Sequence, residues 1–114
     1  DEVFVMGFSS GAYFTSSLAM RGRLDVDGYA VFAGGQPGAR PASPVQRFSP
    51  VFVGVCAEDE TTRSHSRAFA AALSMAGIPR TVNEQRVGHG LSHVHFNYAL
   101  SYLRHQKDKA RPSG

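Results

Sequence analysis

The segment Gly7-Phe8-Ser9-Ser10-Gly11 matches G-x-S-x-G, and its flanks restrict what the chain can fold into. Ahead of it, Glu2 to Met6 is an apolar, β-branched run that reads as a strand buried on both faces. Behind it, Ser10 to Met20 places Tyr13, Phe14, Leu18 and Ala19 near helical spacing, with Gly22 just past the end. A strand that turns directly into a helix through a serine holds that serine in a strained conformation at the carboxyl end of a sheet. The helix amino terminus then favours negative charge developing beside the hydroxyl. The same five residues also read as a plain tight turn of small side chains; the flanking strand and helix favour the chemical reading.

The rest of the chain extends the pattern. Tyr29 to Ala33 is a second strand, stopped by Gly34-Gly35, and residues 34–47 form a loop rich in Gly and Pro. Val51 to Val55 is a buried strand entered from Pro50. A helix over Thr62 to Ala76 follows, capped by Thr61 or Thr62, with Phe69, Ala72, Leu73 and Ala76 facing inward and Gly77-Ile78-Pro79 ending it. Thr81 to Val87 alternates as an edge strand with one wet face. His93 to His105 is a last helix with Phe96, Ala99, Leu100 and Leu103 inward, and 107–114 is a polar tail. Alternating strands and helices predict one α/β domain over 1–106, a mainly parallel four-stranded sheet with flanking helices.

Composition narrows the function classes. At 114 residues, 42% hydrophobic and 18% charged, the chain is globular rather than disordered. Twelve Lys+Arg against nine Asp+Glu leave +3, with ten scattered Arg, too little to indicate nucleic acid. The uncharged run from Val3 to Met20 is broken by Gly, Ser and Thr, so no membrane span is expected. A single cysteine, Cys56, excludes an internal disulfide. The chain opens on Asp1-Glu2 without Met or a basic leader, directly into a core strand, which suggests that part of the domain lies upstream.

A serine hydroxyl needs a base, and the base needs an orienting acid. After the strand Val51–Val55 come Glu58, Asp59 and Glu60; Asp59, four residues past the strand, fits best, and Glu58 and Glu60 are alternatives. Among five histidines, His89 in Gly88-His89-Gly90 follows the last strand and is the candidate base. His93 and His95 read as cap, surface or supporting residues, and His65 and His105 as surface groups on helices. A metal site from His89, His93 and His95 has no carboxylate or cysteine nearby in sequence and is disfavoured. The backbone N–H of Ser10 is the expected oxyanion donor.

These residues resemble the α/β hydrolases, and within them the polyhydroxybutyrate depolymerase and feruloyl esterase group. The likeness is carried by Val3 to Ala12, Phe32-Ala33-Gly34-Gly35 with Pro37, Ala57-Glu58-Asp59 and Gly88-His89-Gly90, and runs from residue 2 to about residue 104. Ala12 departs from the prolyl oligopeptidase pattern, which has a further glycine there, so peptidase is less favoured. The resemblance implies a serine esterase with Ser9 as nucleophile, Asp59 as acid and His89 as general base, needing no cofactor and taking a small or polymeric ester. It also implies an extracellular enzyme of which this chain is the carboxyl-terminal half, the second oxyanion donor lying elsewhere. One lost donor costs about 10²–10³ in turnover, so a catalytically incompetent remnant that needs a partner is the alternative. The edge Val3–Met6 is then open to self-association. Cys56 reads as a small buried residue or as a partner for a cysteine outside the chain. Phe8, Tyr13 and Phe14 read equally as pocket or core.

Overall fold

A computed structural model of the chain describes residues 2–41 and 48–110. The elements are β1 (Phe4–Phe8), α1 (Ser10–Arg21), β2 (Gly28–Phe32), β3 (Val51–Cys56), α2 (Arg63–Met75), β4 (Arg80–Gln85) and α3 (His93–Ala110). The strands lie in the order β1-β2-β3-β4, and all three pairings are parallel. This is the expected four-stranded parallel sheet with helices on its faces.

Side-chain alternation sorts the core into two layers. Val5, Tyr29, Val31, Val51, Val53 and Val55 pack with Ala12, Ala19, Met20, Phe69 and Leu73 of α1 and α2. Phe4, Met6, Phe8, Ala30, Phe32 and Phe52 pack with Ala99, Tyr102 and Leu103 of α3 on the opposite face. Every residue of β2 and β3 is buried. A fully buried Val or Phe contributes about 1.5–3 kcal/mol, so the two central strands dominate the apolar stabilisation.

Turn chemistry sets the helix ends. Gly22 adopts φ 61°, ψ 30°, and its N–H donates to the Leu18 carbonyl, closing α1. Past α2, Gly77 takes φ 73° and Ile78 N–H donates to the Leu73 carbonyl before Pro79 forbids continuation. Both stops follow the sequence reading.

Four expectations need correction. The strand expected over Glu2 to Met6 lies at Phe4–Phe8, and all five residues are half-buried rather than buried on both faces. The reason is position: β1 pairs only with β2 among the described residues. Thr62 stands at the N-cap of α2 but makes no capping bond, because its hydroxyl turns to Asp59. Phe96 of α3 is exposed while His95 is fully buried, so the inward stripe is His95, Ala99 and Leu103. Finally, α3 continues past His105 through Ala110, and Lys107 reaches the Asp27 carboxylate at 3.2 Å, so 107–110 is helix rather than tail. Within the loop assigned to 34–47, residues 42–47 lie outside the described residues, as do 111–114 of the tail.

Candidate active site

Ser9 sits between the last residue of β1 and the first of α1, with φ 58° and ψ −121°. A non-glycine residue in that region is strained by of order 1–3 kcal/mol. The surrounding backbone enforces it: Ser9 N–H donates to the Phe32 carbonyl at 3.0 Å, and its own carbonyl accepts from Ala12 N–H at 2.9 Å. Gly7 makes the turn sterically possible. A Cβ there would drive into the Gly11 carbonyl and the Thr15 hydroxyl. Gly11 is different, since a Cβ on it meets nothing within 4 Å. Only the first glycine of the motif is required by close approach.

Asp59 follows β3 in a short turn and is 8% exposed, whereas Glu58 and Glu60 are exposed. Of the three candidate acids, the fold buries Asp59 alone. Its Oδ1 accepts from Thr61 N–H at 3.2 Å, and its Oδ2 accepts from the Thr62 hydroxyl at 2.5 Å. His89 Nδ1 lies 2.6 Å from the same Oδ2, and His89 Nε2 lies 2.9 Å from Ser9 Oγ. These donors, the Thr62 hydroxyl first and the imidazole next, hold the Asp59 carboxyl below the usual carboxylate range against the opposing effect of desolvation. An ionised carboxylate only accepts, so in a neutral imidazole Nδ1 carries the proton and Nε2 is left to accept from Ser9 O–H. The three residues, 80 positions apart at the extremes, form one hydrogen-bonded line. Such a line can draw the proton from the serine as its oxygen attacks an electrophile.

The remaining candidates fall around it. Ser10 is the first residue of α1, where an N–H has no intrahelical acceptor. Phe8 is half-buried with its ring 5.1 Å from the His89 imidazole, and Phe14 is 66% exposed. Tyr13 hydroxyl bonds His65 Nδ1 at 2.8 Å, joining α1 to α2, so His65 is more than a surface group. Cys56 is buried, free, and points its thiol at the Gly90 carbonyl at 3.6 Å. His93 is exposed and His95 faces the core, so the three histidines of the disfavoured metal site do not converge. No group of three metal-ligating side chains occurs among the described residues, and none of their helices is long and apolar enough to cross a membrane.

Sequence reasoning missed two buried polar devices. Ser66 of α2 donates to the Gly34 carbonyl at 3.0 Å and accepts from Gly34 N–H at 3.1 Å, pinning the loop that abuts Ser9 and Ala12. His95 donates from Nε2 to the Asn83 carbonyl at 3.0 Å, and Nδ1 is buried without a partner. Burial depresses the His95 pKa below its ordinary value. The unfolded chain therefore binds a proton near pH 6.5 that the folded chain refuses, and stability is lost as pH falls below about 6.5. Denaturation midpoints taken at about pH 7.5 and about pH 5.5 are expected to fall for the natural chain and to change less in His95→Leu. An equal fall in both would remove His95 as the cause.

The parallel sheet, with its first strand turning through Ser9 into a helix, matches the α/β-hydrolase fold in part. Solved structures agree. MGS-M1, an α/β hydrolase enzyme from a Medee basin deep-sea metagenome library, matches 92% of this chain and 54% of its own with TM-score 0.71 at 20% identity. The Bacillus cereus carboxylesterase matches with TM-score 0.71 at 18% identity over 91% of this chain and 50% of its own. A single-residue variant of Arabidopsis thaliana SOBER1 matches with TM-score 0.73 at 20% identity, covering 91% of this chain and 53% of its own. The chain thus spans about half the length of these structures. No protein-family model and no curated protein sequence matches it.

Proposed function

We propose that the chain is the nucleophile-bearing part of a serine hydrolase that cleaves carboxylic esters. The observation that carries this reading is the unbroken line from Ser9 Oγ through His89 to Asp59 on a strained elbow. Ser9 Oγ attacks the ester carbonyl carbon as its proton passes to His89 Nε2. The imidazolium is stabilised by Asp59, and the oxyanion accepts from the Ser10 N–H. Collapse breaks the bond to the leaving alcohol, which takes the proton back from Nε2 and leaves an acyl-Ser9. Water, deprotonated by His89, repeats the sequence and releases the acid. Every step is proton transfer and acyl transfer, so no cofactor enters.

Two solved neighbours are described as an α/β hydrolase enzyme and a carboxylesterase, which supports the hydrolase class. The finer assignment, to polyhydroxyalkanoate or aryl and acyl esters, rests on the motif likeness at Val3–Ala12, Phe32–Gly35 and Gly88–Gly90. The edge of β1, unpaired among the described residues, supports association of residues 1–106 with further strands, from another chain or a second copy. Hydrolysis of 4-nitrophenyl butyrate, methyl ferulate and hydroxybutyrate oligomers by the natural chain tests the function. Turnover of at least one that vanishes in Ser9→Ala supports it. Turnover undiminished in Ser9→Ala contradicts it.

A further inference from the structure

Thr62 occupies a helix N-cap position, where a threonine hydroxyl ordinarily accepts from a free backbone N–H of the first turn. Here it makes no such bond. The side chain is instead buried, at 5% exposure, and donates at 2.5 Å to Asp59 Oδ2. That oxygen is the one facing His89 Nδ1 at 2.6 Å. Thr61 N–H, at a longer 3.2 Å, holds the other oxygen. We propose that Thr62 is a positioning residue: its hydroxyl fixes the rotation of the Asp59 carboxylate so that Oδ2 remains aimed at His89.

Two physical points carry this. Apart from the imidazole that it has to orient, a carboxylate lacking Thr62 is held only by the Thr61 N–H and swings about a terminal torsion that is broad. Fixing Oδ2 from a second direction removes that freedom without consuming the acceptor site that His89 uses, because a carboxylate oxygen accepts more than one donor. Burial is the second point. With Thr62 hidden from solvent, no water takes the place of a missing hydroxyl, so the loss falls on Asp59. The other titratable groups that sense the carboxylate do not substitute for it. Tyr13 is bonded to His65, and the Cys56 thiol to Gly90. Glu58 and Glu60 are exposed beside it and donate nothing when ionised.

The inference rests on the esterase reading for its kinetic consequence but not for its geometry. In Thr62→Val the shape is kept and the donor is lost; in Thr62→Ser the donor is kept. Misaimed catalytic groups cost up to about 10²-fold, so Thr62→Val is expected to lower kcat about 10–100-fold on 4-nitrophenyl butyrate with KM little changed. The carboxylate, deprived of a donor, also becomes more basic, so the part of the acidic limb that reports its protonation moves to higher pH. Thr62→Ser restores both. In the proton NMR spectrum, the downfield resonance of His89 Nδ1–H shifts or broadens in Thr62→Val and returns in Thr62→Ser. Thr62→Ala supplies the same comparison if valine prevents folding. An active, folded Thr62→Val with kcat within about twofold of the natural chain and the same pH limb overturns the proposal. If the natural chain cleaves no ester, the esterase reading fails. The resonance then decides Thr62 alone, and an unmoved Nδ1–H signal in Thr62→Val overturns its role.

Discussion

Replacing His89 with alanine is expected to reduce ester turnover by on the order of 10⁴–10⁶ while leaving the fold in place. The size follows from what the imidazole does: without it the Ser9 hydroxyl has no acceptor at 2.9 Å to take its proton. The intact fold follows from where it sits. His89 lies in an exposed loop, its side chain 44% accessible, between two glycines whose surroundings are open. Its removal does not strand a buried charge, because Asp59 keeps the Thr61 N–H and the Thr62 hydroxyl. Initial rates on 4-nitrophenyl butyrate, with circular dichroism as a control, check the claim. A folded His89→Ala that retains a tenth or more of the activity, as an order of magnitude, contradicts it.

The largest structural effect belongs to Gly7→Ala. The added carbon would stand 2.5 Å from the Gly11 carbonyl carbon and closer still to its oxygen and to Thr15 Oγ1. Two of those three atoms are backbone at the start of α1, which has no slack because Ser9 and Ala12 are tied at 2.9–3.0 Å. Overpacking usually costs about 1–3 kcal/mol, and a clash with fixed backbone costs more. We expect Gly7→Ala to abolish cooperative unfolding or to lower the denaturation midpoint severely. Gly11→Ala provides the contrast. Its Cβ meets open space in a helical position, so stability is unchanged or rises by up to about 1 kcal/mol. Parallel urea titrations of the two variants distinguish the two glycines of one motif.

Legibility in the sequence tracked how local each feature is. The elbow was readable because strand, serine and helix are contiguous, and β3 because Val51-Phe52-Val53-Gly54-Val55 is apolar without interruption. Asp59 and His89 were readable as candidates because each follows a strand, at the end of the sheet where Ser9 also lies. What escaped was non-local. Hydrophobicity alone puts Phe96 on the inner face of α3, yet the sheet leaves a hollow at Gly54, where a Cβ would press on Phe32 and on the His95 ring. His95 fills that hollow and turns Phe96 outward. Ser66 gave no signal because its partner, Gly34, is 32 positions away. From its place before a helix Thr62 reads as a cap; only the folded turn reveals that its hydroxyl serves Asp59 instead. The half-exposure of β1 arose in the same way, from sheet order rather than from its own residues.

The proposed function requires Ser9 to be a nucleophile activated by His89 and Asp59. A fluorophosphonate probe tests it most directly, because covalent capture requires an activated serine and is independent of the natural substrate. Incubation of the folded natural chain, followed by mass spectrometric mapping, is expected to place one adduct on Ser9. That adduct disappears in Ser9→Ala and forms far more slowly in Asp59→Asn. Absence of any adduct on the folded chain, or labelling that persists undiminished in Ser9→Ala, would contradict the account.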